Sequence, residues 1–323
     1  MKLPKEMRPS TATIRSRLVL EIASELVARN DQPNQQAKVL LRPQRGDKSW
    51  PLSLFGSGTI EGITAVVQGE AALAITNPAE SLSLAYRGKG VFKTPQPVRA
   101  IAVIPSFDQC LFGVRADYGI RYVEEIIERR LPLKLSLRGE AEHWLHHMLD
   151  DIFTACGGAL DDIVAWGGSI DRTGAFPYFE GPRFDAYRQG TITAVFDESV
   201  TNWCDEAADK GMVMLSIRES TVEKLEAMGY RRSVVRKADF PALPEDILTL
   251  DFSGWPVFVH KDAPDALVTQ ICEALVARAA LIPWQSPGPL PVARMCREAP
   301  DTPQLVPLHP AAERYWRAQG FLP

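Results

Sequence analysis

The segment Leu54 to Leu82 constrains the fold more tightly than any other part of this chain. A short apolar run reaches Phe55, and Gly56-Ser57-Gly58 follows, where glycine lets the backbone turn tightly. A helical pattern then begins at Thr59 and stops at Gly69. Ala71 to Thr76 is a second apolar run, closed by Asn77-Pro78 ahead of a further helical pattern. Strand, helix and strand in this order make parallel sheet through right-handed crossovers. Two successive strands each end in a polar turn that opens a helix. Two sets of unpaired backbone N–H groups therefore face one edge of a sheet, the outline of a small-anion site.

At 323 residues the chain exceeds one average domain, and two lobes of roughly 150 residues would fit. The net charge of −4, with interspersed signs, provides no basic footprint and excludes nucleic acid as the main partner. No run approaches the ~20 apolar residues of a membrane span. Lys2, Lys5, Arg8, Arg15 and Arg17 precede Leu18-Val19-Leu20, which Glu21 interrupts, so no secretory signal is read and a cytoplasmic location is expected; a trimmed precursor would instead be periplasmic. Five cysteines without a Cys-x-x-Cys pair indicate neither a disulfide framework nor a zinc cluster.

Along the chain, residues 1–13 read as a leader and Ile14 to Ala28 as an amphipathic helix, with Leu18, Val19, Ile22 and Leu26 at helical spacing. Ala37 to Leu41 is a strand, 42–50 a charged connector, and Trp50 to Phe55 the strand entering the glycine turn. Val98 to Ile104 and Leu111 to Arg115 are further strands. The alternation then restarts: strand Leu133 to Leu137, helix Ala141 to Cys156, strand Ile163 to Trp166, helix Arg183 to Gln189, strand Thr191 to Phe196, helix Val200 to Asp209 and strand Met212 to Ser216. After the helix Ile217 to Met228, residues 231–246 read as connection, followed by strands Ile247 to Leu250 and Pro256 to His260 and by the helix Asp265 to Ala280. A proline-rich tail ends in a helix over Pro310 to Gln319.

Gly56-Ser57-Gly58, Val67-x-Gly69-Glu70, Leu73-Ala74-Ile75-Thr76-Asn77-Pro78, Val98 to Val103, Phe112-Gly113-Val114-Arg115 and the ending Leu308-His309-Pro310-Ala311-Ala312-Glu313-Arg314-Tyr315-Trp316, in that order, resemble the TAXI-type solute receptors of TRAP transporters. The resemblance implies an α/β fold of the type II periplasmic-binding-protein kind, with two lobes, a hinge crossed twice and a small carboxylate ligand in the cleft. On that template, lobe I is residues 1–114 plus 217–323 and lobe II residues 115–216. Two departures stand out: no signal peptide is visible, and the family's glycine-rich first turn is replaced by Pro9-Ser10-Thr11-Ala12-Thr13.

Ser57, Gly58 and Thr59 are candidates for holding a carboxylate at a helix start, or they simply cap that helix. Asn77 and Glu80 stand likewise at the second turn. Arg138 directly follows a strand and precedes Gly139, where a guanidinium clamps a carboxylate with two parallel hydrogen bonds, unless it is an ordinary surface arginine. On the helix that follows, Glu140, His143 and His147 share a face opposite Leu145, Met148, Leu149 and Ile152 at about 100° per residue. An i, i+4 pair of His143 and His147 with Asp197 has the makings of a divalent-metal site, against the simpler reading of a solvated face, and no cofactor is otherwise expected. Asp197, Glu198 and Ser199 sit where a strand ends in an open sheet, a position from which ligands are contacted or protons moved. Trp203 and Phe107 would provide apolar walls.

Two functions compete at this level. One is a receptor that closes its lobes over a small carboxylate, with TRAP membrane subunits as partners if it is exported. The other is a cytosolic enzyme on the same fold, a decarboxylase, lyase or isomerase of a small carboxylic acid, aromatic acids included, with His143 and Glu198 catalytic. No Walker, dinucleotide or Gly-x-Ser-x-Gly motif is present.

Overall fold

The computed structural model describes residues 11–29, 36–42 and 52–323. The chain divides into two compact units, Met1–Ala37 and Lys38–Pro323. In the first, α1 (Thr11–Arg29) runs through the expected amphipathic stretch, with Glu25 and Arg29 paired one turn apart. Of the expected leader over 1–13, residues 11–13 belong to α1; residues 1–10, most of the 42–50 connector and the expected strand start at Trp50 lie outside the described residues.

The second unit carries two five-stranded sheets. The first has the order β1 (Ala37–Leu41), β2 (Leu52–Gly56), β3 (Leu73–Ile75), β12 (Trp255–His260), β4 (Val98–Ile104). β2 and β3 pair in parallel, with Gly56 opposite Ile75. β12 lies antiparallel to both β3 and β4, so β2, β3 and β4 all point the same way. Their carboxyl ends therefore meet along one edge. Helix α2 (Thr59–Val67) begins at that edge after Gly58, and α3 (Ala79–Arg87) after Pro78, whose φ of −76° and ψ of 175° make it the residue before the first turn.

The second sheet repeats the scheme in the order β7 (Ser169–Gly174), β6 (Lys134–Arg138), β8 (Ala194–Asp197), β5 (Leu111–Arg115), β9 (Met212–Leu215). β6 is parallel to β7 and β8, and β5 is the antiparallel member between β8 and β9. Each sheet thus contains one strand that arrives from the other side. The chain crosses between sheets at 105–110 and again at 250–254, and the crossings pair with each other: Cys110 N–H donates to Leu250 O (3.2 Å), Phe252 N–H to Asp108 O (2.9 Å) and Gly254 N–H to Ser106 O (2.9 Å). Two sheets and a paired double crossing are the two-lobed, type II periplasmic-binding-protein-like α/β architecture.

Period-two alternation places side chains of the second sheet on two cores. Phe112, Val114, Leu135, Leu137, Ala194 and Phe196 face α5 (Trp144–Ala155) and α9 (Glu219–Met228), and Leu145, Met148, Leu149, Ile152 and Phe153 fill the space between. Leu111, Val195, Met212 and Met214 face the other way, onto α7 (Pro182–Arg188) and α8 (Cys204–Asp209), around Phe184 and Trp203. In the first sheet Ile101, Val257 and Val259 pack on α10 (Asp265–Arg278) and α11 (Pro310–Ala318), while Val98, Ala100 and Phe258 pack on α2 and α3. Each fully buried Phe, Leu or Val contributes about 1.5–3 kcal/mol, so both faces of both sheets are held by helices rather than by hydrogen bonds alone. The C-terminal signature is part of this framework: His309 caps α11 by accepting from Ala311 N–H, and the Trp316 indole donates to Ile101 O on β4 at 2.8 Å.

Three local expectations differ from the structure. Ile163 to Trp166 is not a strand: Asp162–Ala165 forms a helical turn, α6, that buries only Ile163, and the strand is β7, which follows Gly167-Gly168. β7 sits at the sheet edge with a polar sequence, so it lacks the apolar signal of a covered strand. Arg232–Val235 within the expected connection is a strand, β10, paired with β11 (Ile247–Leu250). A short helix, α4 (Glu124–Glu128), lies where no element was read.

Candidate functional site

Register brings Arg138 and Asp197 together. Ser136 on β6 lies opposite Val195 on β8, and two residues further on both strands end. There Arg138 donates through Nε to Asp197 Oδ2 (3.3 Å) and through Nη2 to Asp197 Oδ1 and to Glu198 Oε1 (2.6 Å). Arg183 of α7 closes the group from behind. It donates to Asp197 Oδ2, to Ser136 Oγ (3.0 Å) and to the carbonyls of Ser136 (2.5 Å) and Phe196 (3.3 Å). The side chains of Arg138, Asp197 and Arg183 are at most 5% exposed. Two guanidinium charges thus meet two carboxylates with nearly all water excluded, and the carboxylate that Arg138 was expected to clamp is supplied by the chain itself.

Glu198 reaches further. Its carboxylate accepts from Ser199 Oγ, shares a hydrogen bond with the Asp108 carboxyl and lies 4.0 Å from His143 Nε2. Burial alone would raise the Glu198 pKa, but the hydrogen bond from Asp108 and the Arg138 charge hold it below the usual carboxylate value. Asp108 goes the other way: burial and the neighbouring Glu198 carboxylate push it well above its usual value. Asp108 also accepts from Ser199 N–H at 3.0 Å and from Gln109 N–H at 2.8 Å. Since Asp108 lies on the first crossing, this pair fastens the crossing to the end of β8.

His143 is the residue before the first turn of α5, with φ −69° and ψ 134°, and its Nδ1 accepts from Leu145 N–H. Because it stands outside the helix, the expected i, i+4 geometry with His147 does not form. His143, His147 and Asp197 do not gather into a metal-ligating group, nor does any other set of three such side chains among the described residues. His143 instead stacks on Phe252 of the second crossing, centroids 5.8 Å apart and planes 2° from parallel. Burial, then the Arg138 charge, lowers its pKa, so it is neutral at neutral pH. Glu140 uses its backbone carbonyl to accept from His143 N–H (2.9 Å), and the same carbonyl meets His146 Nε2 (3.1 Å). Trp203 is a core residue, 1% exposed; it supports the site from below by donating its indole N–H to Glu198 O (3.0 Å).

The first-sheet half is built at the ends of β2 and β3. Gly58 precedes α2, and Gly62 N–H closes the first turn onto Gly58 O at 2.8 Å. Thr59 spends its hydroxyl on Asn77 O (2.9 Å), and Asn77 donates its side-chain amide to Gly254 O (3.1 Å) on the second crossing. Among the described residues, Ser57 Oγ is buried without a hydrogen-bond partner. A hydroxyl left in that state at a helix start is costly unless something donates to it or accepts from it. Glu80 does not join this group: it is fully buried, its neighbours are Asp251 and Arg231, and burial followed by the Asp251 charge raises its pKa well above the usual value. The two halves are connected through the crossings, because Ser253 Oγ donates to Asp108 O (3.0 Å) one residue before the Gly254 that holds Asn77.

Asp108, Arg183 and Phe252 carry much of this geometry and were not singled out by sequence. Asp108 was discoverable as a polar residue between two apolar strands that cross the molecule; Arg183 carries no local signal, since its partners lie 14 and 47 residues away.

Among solved structures, the chain is similar to Tv2483 bound to L-arginine (10% identity, 69% of this chain and 66% of that one, TM-score 0.30). It is also similar to a TctC solute-binding protein from Polaromonas (17%, 64% and 63%, 0.35) and to the periplasmic binding protein BugD (15%, 69% of each chain, 0.38). The chain therefore spans slightly less than two thirds of the length of the first two. No curated protein matches. Residues 56–320 match the model of the NMT1-like family, and since that is most of its length the chain belongs to the NMT1-like family.

Proposed function

We propose that this protein is a solute-binding receptor of the TAXI type that holds a small carboxylate-bearing ligand at the carboxyl edges of its two sheets. The observation that carries the reading is Ser57: among the described residues its buried hydroxyl has no hydrogen-bond partner, and it stands beside the start of α2, where no side chain caps the first turn. A ligand carboxylate completes that set, accepting from the hydroxyl and the helix start, where the peptide dipoles favour negative charge. Membership of the NMT1-like family supports a role in ligand binding. On this reading the paired crossings are the hinge, and the protein works as an exported receptor delivering its ligand to TRAP membrane subunits.

A second reading is favoured by one specific feature, the buried carboxyls of Asp108, raised in pKa, and Glu198, lowered in pKa, with His143 Nε2 4.0 Å from Glu198. Two carboxyls whose environments push their pKa values apart, next to an imidazole, are equipment for acid–base chemistry, as in a cytosolic lyase, decarboxylase or isomerase of a small acid. Titration calorimetry against a panel of small mono- and dicarboxylates tests the first reading. Saturable binding that Ser57→Ala weakens at least tenfold is expected, and a panel without binding refutes it. Recovering the bound acid unchanged after prolonged incubation, by NMR, separates receptor from enzyme.

A further inference from the structure

Among the described residues, five aromatic side chains stand exposed: Phe107 (50%), Tyr122 (40%), Phe176 (37%), Tyr178 (58%) and Trp255 (45%). Four of them belong to the site edge. Trp255 opens β12 directly opposite Ile104, the last residue of β4. Phe107 is on the first crossing, next to Asp108, and its backbone is held on both sides by one side chain: Phe107 N–H donates to Gln285 Oε1 (2.6 Å) and Gln285 Nε2 donates to Phe107 O (3.2 Å). Phe176 and Tyr178 follow β7, whose Gly174 pairs with Arg138; their ring centroids are 4.6 Å apart, and the Arg138 guanidinium lies over Phe176 at 4.5 Å. Tyr122 is elsewhere, under Arg218.

The other described aromatic rings are buried in the cores or packed against them, so rings left in water at the carboxyl edges of the two sheets mark a recognition surface rather than spare hydrophobicity. Charge does not compete for this role. Arg138 and Arg183 are buried and matched by Asp197 and Glu198, so the second-sheet side offers an incoming group the exposed ring faces of Phe176 and Tyr178 rather than a free charge. Such surfaces select planar π systems, through offset stacking and edge contacts with centroids ~4.5–7 Å apart. Resting on the receptor reading above, we propose that the ligand is an aryl carboxylate: its carboxylate goes to the Ser57 turn, and its ring stacks among Phe176, Tyr178, Phe107 and Trp255.

The experiment compares phenylacetate and indole-3-acetate with the saturated analogue cyclohexylacetate and with uncharged 2-phenylethanol, by calorimetry on the full chain and on Phe176→Leu and Trp255→Leu. An aryl acid binding at least tenfold tighter than cyclohexylacetate, with that preference reduced at least fivefold in both variants, is the expected result. Equal affinity for aryl and cyclohexyl acids overturns the aryl assignment and leaves the carboxylate reading intact. Binding of 2-phenylethanol as tight as phenylacetate, with the same sensitivity to the two variants, keeps the ring site and removes the carboxylate. Failure of every aromatic probe to bind overturns the proposal, and so does a preference that both leucine variants retain.

Discussion

Replacing Arg138 by Met tests whether this side chain is an internal anchor or an open anion clamp. Methionine keeps an apolar stem against Phe176 and removes the guanidinium, which makes three hydrogen bonds to Asp197 and Glu198. Stripping one partner from a buried ion pair costs about 3–5 kcal/mol, because a charge is left without compensation. Here Asp197 retains Arg183, and Glu198 retains the Ser199 hydroxyl. The loss therefore falls at the lower end, about 3 kcal/mol, read from urea unfolding at neutral pH with an unchanged slope against denaturant.

The pH dependence has a definite sign. The folded-state pKa of Glu198 lies below its unfolded value, so its contribution is present above the unfolded pKa and is lost as pH falls through the folded one. Removing Arg138 takes away one of the causes of that depression, and the deficit of the variant shrinks as pH is lowered through the carboxylate range. Adding Glu198→Gln removes the stranded charge and recovers at least ~1 kcal/mol, a coupling expected of side chains in direct contact. A single-variant loss under ~1 kcal/mol, or a double variant no more stable than Arg138→Met, refutes the anchor and returns the guanidinium to the ligand.

Glu80→Gln addresses the other buried acid: a carboxyl whose folded pKa is raised costs stability as pH climbs through that value, so the amide gains on the parent toward alkaline pH, and parallel pH–stability curves refute this. Gly254 has φ +81°, and a Cβ there would stand 2.8 Å from Val103 Cγ1 and 2.9 Å from Pro303 Cδ; Gly254→Ala is therefore expected to cost about 1–3 kcal/mol in denaturant unfolding, and a loss under ~0.5 kcal/mol counts against the crossing geometry. Burial pushes the thiols of Cys110, Cys156, Cys204 and Cys272 up to about 12, so iodoacetamide at neutral pH labels the native protein far more slowly than the urea-unfolded chain, and equal rates refute that burial.

What the sequence made legible follows the range of the interactions. Val98–Ile104 and Leu111–Arg115 are strands with the ends expected, because covered strands are short continuous apolar runs whose boundaries are written locally. β7 was misplaced because an edge strand has no such run, and Ile163 to Trp166 imitated one while burying a single side chain. The turns at Gly56-Ser57-Gly58 and Thr76-Asn77 were read correctly as helix openings, because backbone conformation at glycine and at a proline junction depends on near neighbours. Yet Thr59 and Asn77 turn out to bind each other and the second crossing, a partnership set 177 residues away.

The same distinction explains the arginine. A residue at the carboxyl end of a parallel strand is correctly suspected of facing a ligand, because chain direction puts every such end on one edge. Whether its charge is free depends on which strand lies alongside, and β6 has β8 as its neighbour, 59 residues on in sequence, ending at the same level in two carboxylates. Arg138 is therefore spent on architecture. Ser57 follows a strand whose neighbour β3 ends at Ile75, and among the described residues its hydroxyl has no hydrogen-bond partner. Two positions equivalent by topology differ in chemistry through their neighbours' sequence. It is the uncommitted one, with exposed aromatic rings at the same edge, that is left for a ligand.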